Sequence, residues 1–390
     1  MMPSENAVVA LLQQLVQIPS PNPPGECRAI AEFCAAYLRQ AGFVTTLAAP
    51  DERAWSVVAV LGDPAAEPAL LLHAHIDTVP LGQNARWHFA PFAGTEADGR
   101  LYGLGSVDDK APLAAMLATA ARIAAQAERL QGRLVVVCAA DEEVGGQLGT
   151  RWLVDQGLIP ACSFVVVGEQ TQNRAAIAHK GVLRAALHVE GRTAHATDPW
   201  RGRNAINGMA HLILELERYQ REELERRHHP LLGPPSINVG VIKGGVSANV
   251  VADACTVWVD RRTLPGEDPQ AVIAEVQALV ARQQASDPER TYRADHFLVS
   301  NWFQADMNSP FLQRFIQVCA DVTGTPAEPV GYLPGSDAKH LVSVARDGMV
   351  VFGPGTYEVA HATDEYVEVA ELAATHAILV QFVEEILLRG

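Results

Sequence analysis

Three short apolar runs, each breaking off at acids or at a histidine followed by an acid, most constrain what this chain can become. They are Ala69 to His75, running on into Ile76-Asp77; Arg133 to Ala139, leading to Asp141-Glu142-Glu143; and Phe164 to Gly168, leading to Glu169. Continuous runs this short and this rich in Val and Leu are buried strands of an α/β sheet covered on both faces. In such sheets ligands bind beyond the carboxyl ends of the strands, where these acids lie. His75 and Asp77 are two apart on an extended segment and share a side, so Asp77 can reach the His75 ring and fix which nitrogen is free. That arrangement suits a metal, but a strand-end His and a turn Asp satisfying backbone groups would read the same.

The charge balance narrows the partners. A formal net charge of −15 over 390 residues lacks the clustered Lys and Arg that phosphate binding relies on, so neither nucleic acid nor a membrane is the expected partner. An acidic chain is suited to holding cations. No basic residue precedes Arg28, and no apolar run has the length of a signal peptide or membrane span; a soluble, cytoplasmic protein is expected. The six cysteines are scattered without a C-x-x-C pair and read as buried free thiols of a reducing compartment.

The length allows two or three domains, and the order of elements suggests how they are divided. Helices are expected over 6–16 and 26–40, then strands over 43–48 and 55–61 ahead of the His75 strand, forming a meander at one edge of a mixed sheet. Residues 86–105 read as loop. They deliver Ser106-Val107-Asp108-Asp109-Lys110 to the start of an Ala-rich helix, where Asp is ordinarily an N-cap. Two adjacent Asp and a Lys exceed what a cap requires. At 141–146 successive side chains diverge, so Glu142 and Glu143 cannot do the same job; a solvated acidic turn is the plain alternative. After Lys180 the pattern becomes βαββα, a compact α+β unit spanning 181–288. The first domain, 1–180, then resumes over 289–390, with Ala360-His361 between its last strand and its last helix.

Collected, the donors are His75, Asp108, Glu143, Glu169 and His361. Two imidazoles and three carboxylates suit two borderline divalent ions that share one carboxylate and leave positions open for water and substrate. A pair of ions lowers the pKa of a water between them, and a further free carboxylate must take its proton.

In order and approximate spacing, His75-Ile76-Asp77, Gly105 to Lys110, Asp141-Glu142-Glu143, Gly168-Glu169 and Ala360-His361 resemble the motifs of one family. It is the di-zinc amidohydrolase and exopeptidase family of acetylornithine deacetylase, succinyl-diaminopimelate desuccinylase, aminoacylases and carboxypeptidase G. The resemblance covers essentially the whole chain. It implies a mixed-sheet catalytic domain of the zinc-aminopeptidase type, with the inserted βαββα unit as a lid and dimerisation domain. It also implies that Asp108 bridges two divalent ions, zinc first, with cobalt or manganese as alternatives. His75 and Glu169 would complete one ion's ligands, and Glu143 and His361 the other's. Glu142 would be the general base, Asp77 the partner of His75, and the Asp108-Asp109 peptide cis. His195, in Gly191-Arg192-Thr193-Ala194-His195, would stabilise the oxyanion across a homodimer interface. Asn249, Arg262, Gly335 and Ser336 fall in segments that resemble the family's substrate-binding positions.

The chain departs from the family pattern at Ala74 and Ala111, where Gly is usual, and neither change touches a donor. His179-Lys180-Gly181 resembles deacetylases and aminoacylases and lacks the desuccinylase's paired Arg, which counts against a succinylated substrate. The expected activity is hydrolysis of the amide of an N-acyl-L-amino acid. An exopeptidase or dipeptidase acting on a short peptide through the same ions is the alternative. A catalytically dead scaffold would have lost a donor or the base, and all seven positions are filled.

Overall fold

The computed structural model describes residues 5–82 and 86–388. The chain divides into two compact units, residues 1–177 with 305–390, and residues 178–304.

In the first unit a mixed sheet runs in the order Val44–Ala48, Ser56–Leu61, Arg133–Ala139, Ala69–His75, Phe164–Gly168, Met349–Phe352. The first two junctions are antiparallel and the last three parallel. The register sets His75 opposite Ala139 and Phe352 opposite Gly168. Four parallel strands therefore end at one edge, and the chain beyond them carries Asp77, Glu142, Glu143, Glu169 and His361. The expected meander does not form: Ser56–Leu61 pairs with Arg133–Ala139 and not with the His75 strand. Ala69–His75 is buried at every position, and a strand apolar on both faces belongs between parallel neighbours under helices, not at an edge.

Helix Lys110–Ala124 starts directly behind this edge and is buried along nearly its whole length, which only its run of alanines permits. Its Lys110 ammonium is buried too and donates to the Ile18 carbonyl at 2.9 Å. Residues 86–105 are not simply loop. Thr95–Ala97 and Arg100–Tyr102 form a hairpin, completed by Tyr366–Glu368 as a third antiparallel strand. Asp98 and Gly99 make its two-residue turn at φ 52 and 77. An Asp-Gly pair meets this left-handed requirement at little cost, so the signal was present in the sequence.

The second unit is a four-stranded antiparallel sheet in the order Ser236–Gly244, Ala254–Thr263, Gly181–Glu190, Thr291–Ser300. Helices Ala205–Tyr219 and Pro269–Ser286 bury the alternate residues Leu183, Ala185, Leu187 and Val189 of its central strand. The expected boundary at 288 falls short of the observed 304, because residues 291–300 pair with Gly181–Glu190 instead of returning to the first unit. The unit is thus βαββαβ.

Candidate metal centre

The edge of the large sheet assembles the donors around Asp108. Its Oδ1 lies 2.9 Å from His75 Nε2 and its Oδ2 3.2 Å from His361 Nε2, which is also 3.2 Å from Glu143 Oε2. Two groups result: His75, Asp108 and Glu169, and Asp108, Glu143 and His361, with the candidate ligand atoms of each within 4.8 Å of one another. Asp108 belongs to both, and its two oxygens face the two histidines separately.

Local backbone geometry accounts for the placement. The Asp108-Asp109 peptide is cis. Asp109 occupies the N-cap position of Lys110–Ala124 without capping it; its Oδ2 accepts the His75 backbone N–H at 3.1 Å. Glu365, fully buried, accepts the backbone N–H groups of Gly105, Val107 and Asp108 at 3.0, 2.9 and 3.1 Å and so clamps the turn that presents Asp108. Asp141 is left-handed at φ 76, which turns the chain sharply off its strand and sends Glu142 and Glu143 in different directions.

Asp77 meets His75 through its main chain more closely than through its carboxylate. The His75 Nδ1–H donates to the main-chain oxygen of Asp77 at 3.0 Å, while the Asp77 carboxylate is 3.6 Å away. The carbonyl therefore fixes the tautomer that leaves Nε2 facing Asp108. The carboxylate is spent elsewhere: it accepts the backbone N–H groups of Glu142 and Glu143 at 3.1 and 3.2 Å, and the Asn22 amide at 2.9 Å.

The electrostatics favour cations. Burial drives Glu169 well above the usual carboxylate range, and the charges of Asp108 and Glu142 add to the rise. Burial likewise raises Glu143, helped by Asp108. Hydrogen bonds to Asp108 and Glu143 lift His361 to about 10. Burial opposes charging His75, but Asp108 and Asp77 outweigh it and hold the ring well above its ordinary value. Carboxylates this crowded and buried need positive charge. The donor set is hard and borderline, the shared carboxylate offers one oxygen to each side, and Glu143 Oε1 is buried without a hydrogen-bond partner. On these three counts the residues fit a pair of divalent ions.

Glu142 stands beside the ligand groups but in neither. Burial pushes it up to about 8 against the pull of Lys339, whose ammonium lies 3.2 Å from its Oε1. Sequence reasoning missed Lys339, Asn22 and Glu365, and also Tyr332, whose buried hydroxyl is 2.8 Å from Glu169 Oε2. A lone Lys in the one-turn helix Ala338–Leu341 or a lone Glu in a loop carries no periodic signal, although Lys339 lies three residues from Ser336. Ser336 is itself buried, its hydroxyl accepting the Ala338 N–H at 3.3 Å, and Gly335 precedes it in the turn that leads to Lys339.

In the second unit His195 and Asn249 come together: Ala196 N–H donates to the Asn249 carbonyl at 3.0 Å, and both side chains are exposed. Arg262 does not join them. It sits near the far end of the ten-residue strand Ala254–Thr263, roughly 25 Å along it at the usual strand rise, with its Nε on Asp260 at 2.8 Å.

Known proteins resemble this chain in sequence and in fold. The sequence pattern of peptidase family M20/M25/M40 matches residues 71–385. An acetylornithine deacetylase of Myxococcus xanthus is 34% identical over 83% of this chain and 81% of its own length. One from Pasteurella multocida is 30% identical over 90% and 89%. Among solved structures, a Staphylococcus aureus tripeptidase superposes with a TM-score of 0.79 at 22% identity, covering 99% of each chain. Human carnosine dipeptidase 1 gives 0.77 at 16%, covering 98% and 97%. A dinuclear metal-binding M20 peptidase of Bacillus subtilis gives 0.71 at 16%, covering 98% of each.

Proposed function

Because this chain belongs to peptidase family M20/M25/M40, a family of metal-dependent hydrolases, we propose that it removes the acyl group from an N-acyl-L-amino acid. The observation that carries the reading is Asp108, with one oxygen on the His75 side and the other on the His361 side. His75, Asp108 and Glu169 would hold one divalent ion, and Asp108, Glu143 and His361 the other, with zinc the first candidate and cobalt or manganese the alternatives. Such a pair, when bound, makes a water acidic and steadies the carbonyl oxygen as it gains charge. Glu142, a carboxylate outside both groups, takes the proton from the attacking water and returns it to the leaving nitrogen. The bond formed is carbon to oxygen, the bond broken is the amide C–N, and the products are a carboxylic acid and a free amino acid.

The deacylase reading draws on the relatives named acetylornithine deacetylase, matched over most of both chains. His195 is proposed to stabilise the oxyanion, with Asn249, Arg262, Gly335 and Ser336 binding substrate. His195 and Arg262 stand at opposite ends of one sheet, so a single copy of the second unit does not assemble them. That supports a homodimer in which a partner supplies the histidine.

The deciding experiment is a panel of N-acetyl amino acids against dipeptides, with added zinc or cobalt. Preference for N-acetyl amino acids supports the deacylase, and preference for dipeptides assigns an exopeptidase. No turnover of either overturns both.

A further inference from the structure

Lys339 is the one ammonium placed against the proposed base among the described residues, and it does not arrive there by chance packing. Its side chain is four per cent exposed, with Nζ 3.2 Å from Glu142 Oε1 and 3.8 Å from Asp337 Oδ1. Asp337 is itself buried and held from behind. The Thr150 hydroxyl donates to its Oδ2 at 2.5 Å, His73 Nε2 is 2.7 Å from that hydroxyl, and the same ring nitrogen is 3.5 Å from Asp337 Oδ2.

The turn that bears Lys339 is also locked directly onto the turn that bears Glu142. His340 Nε2 lies 2.9 Å from the Gly145 carbonyl. Gly146, at φ +70, approaches so closely that a Cβ there would meet Asp337 Oδ1 at 2.3 Å. None of Lys339, Asp337, Thr150 and His73 belongs to either ligand group. A chain of buried polar groups that ends on one carboxylate, beside a metal centre but not in it, has a single outlet.

We infer that Lys339, anchored by Asp337, Thr150 and His73, is a positioning residue that holds the Glu142 carboxylate in the one orientation from which it can serve the attacking water. The inference rests on the reading of Glu142 as general base. Glutamate has three side-chain torsions, and near two cations its carboxylate has competing partners. An ammonium fixed 3.2 Å from its Oε1 keeps it from turning to them. Asp77 fixes the Glu142 backbone and Lys339 fixes its far end, so the side chain is held at both ends.

The test is a double-mutant cycle on the metal-loaded enzyme with its best N-acyl amino acid or dipeptide substrate. K339M should lower kcat by about 10- to 100-fold, the loss expected when a catalytic group shifts by about an ångström, with KM changed less than about threefold. Metal content should stay at the wild-type stoichiometry, and K339R should recover part of kcat. The double variant E142Q/K339M should be no slower than E142Q alone, because Lys339 has nothing to position once the base is gone. If K339M does not fold, K339Q, polar but uncharged and one atom too short to reach the Glu142 carboxylate, carries the same expectations. Turnover lost in E142Q but unchanged in K339M overturns this inference alone, as does a loss confined to KM or a multiplicative loss in the double variant. Turnover retained in E142Q overturns the base assignment and the inference with it.

Discussion

The carboxylate of Asp77 accepts the backbone N–H of Glu142 at 3.1 Å. With the Glu143 N–H at 3.2 Å and the Asn22 amide at 2.9 Å, it fills its acceptor positions with donors that fix where the 142–144 turn lies above the sheet. One residue thus serves the site twice, by its carbonyl to His75 and by its carboxylate to the turn carrying both the proposed base and a proposed ligand.

Asp77→Asn should therefore be costly despite its small size. An amide presents at most one acceptor oxygen, and its NH2 would face N–H donors in a fully buried place. We expect a loss of about 2–3 kcal/mol in unfolding free energy, the cost of a buried donor left unsatisfied, together with weaker metal retention. Urea unfolding read alongside metal content checks this; a wild-type midpoint would contradict the role given to the carboxylate.

Glu365 clamps the Asp108 turn in the same manner, through three backbone N–H groups. Glu365→Gln keeps the shape but turns one acceptor into a donor facing those groups. It should cost about 1–3 kcal/mol and loosen metal binding without removing any ligand. Equal metal affinity in the variant and the wild type would show that the clamp does not govern Asp108.

His361 is the most exposed of the five proposed ligands, its side chain 51% accessible, and it sits on a left-handed residue at φ 60. His361→Ala should spare the group of His75, Asp108 and Glu169, so metal analysis should fall from two ions per chain toward one while the fold persists. Chelation of the wild type should abolish turnover, and added zinc or cobalt should restore it. Two tightly held ions in the variant would remove His361 from the ligand set.

Burial in the last helix pushes His376 down to about 4, and its Nε2 finds no hydrogen-bond partner. Its folded pKa lies below the ordinary 6.5, so between those values the unfolded chain binds a proton that the folded chain refuses. Stability is thus full above pH 6.5 and falls as the solution is acidified, by up to about 3 kcal/mol at pH 4. His376→Leu should leave stability at pH 7.5 nearly unchanged and flatten the decline between pH 6.5 and 4. Parallel urea midpoints for wild type and variant across that range would refute it.

Much of the site was legible in the chain because its signals are local. A short run dominated by apolar residues declares a buried strand, an acid beyond it declares a ligand edge, and donor chemistry says which ions suit. The divergence of Glu142 and Glu143, expected of an extended segment, is produced instead by left-handed Asp141 and the 3-10 turn Glu142–Val144. The Asp98-Gly99 turn was equally readable and shows that 86–105 was never mere loop.

What the sequence by itself determined, then, was the kind of sheet and the family, and it supplied the candidate donors. Only the tertiary structure decided that Ser56–Leu61 pairs with Arg133–Ala139, that the second unit runs to 304, that the carbonyl of Asp77 takes the His75 hydrogen bond while its carboxylate stands 3.6 Å off, and that Lys339 meets Glu142 from 197 residues away. The reason is physical: residue type and periodicity act over a few residues. Strand pairing and the partners of a buried charge are settled by which distant surfaces close together and by the cost of leaving a polar group alone in the interior.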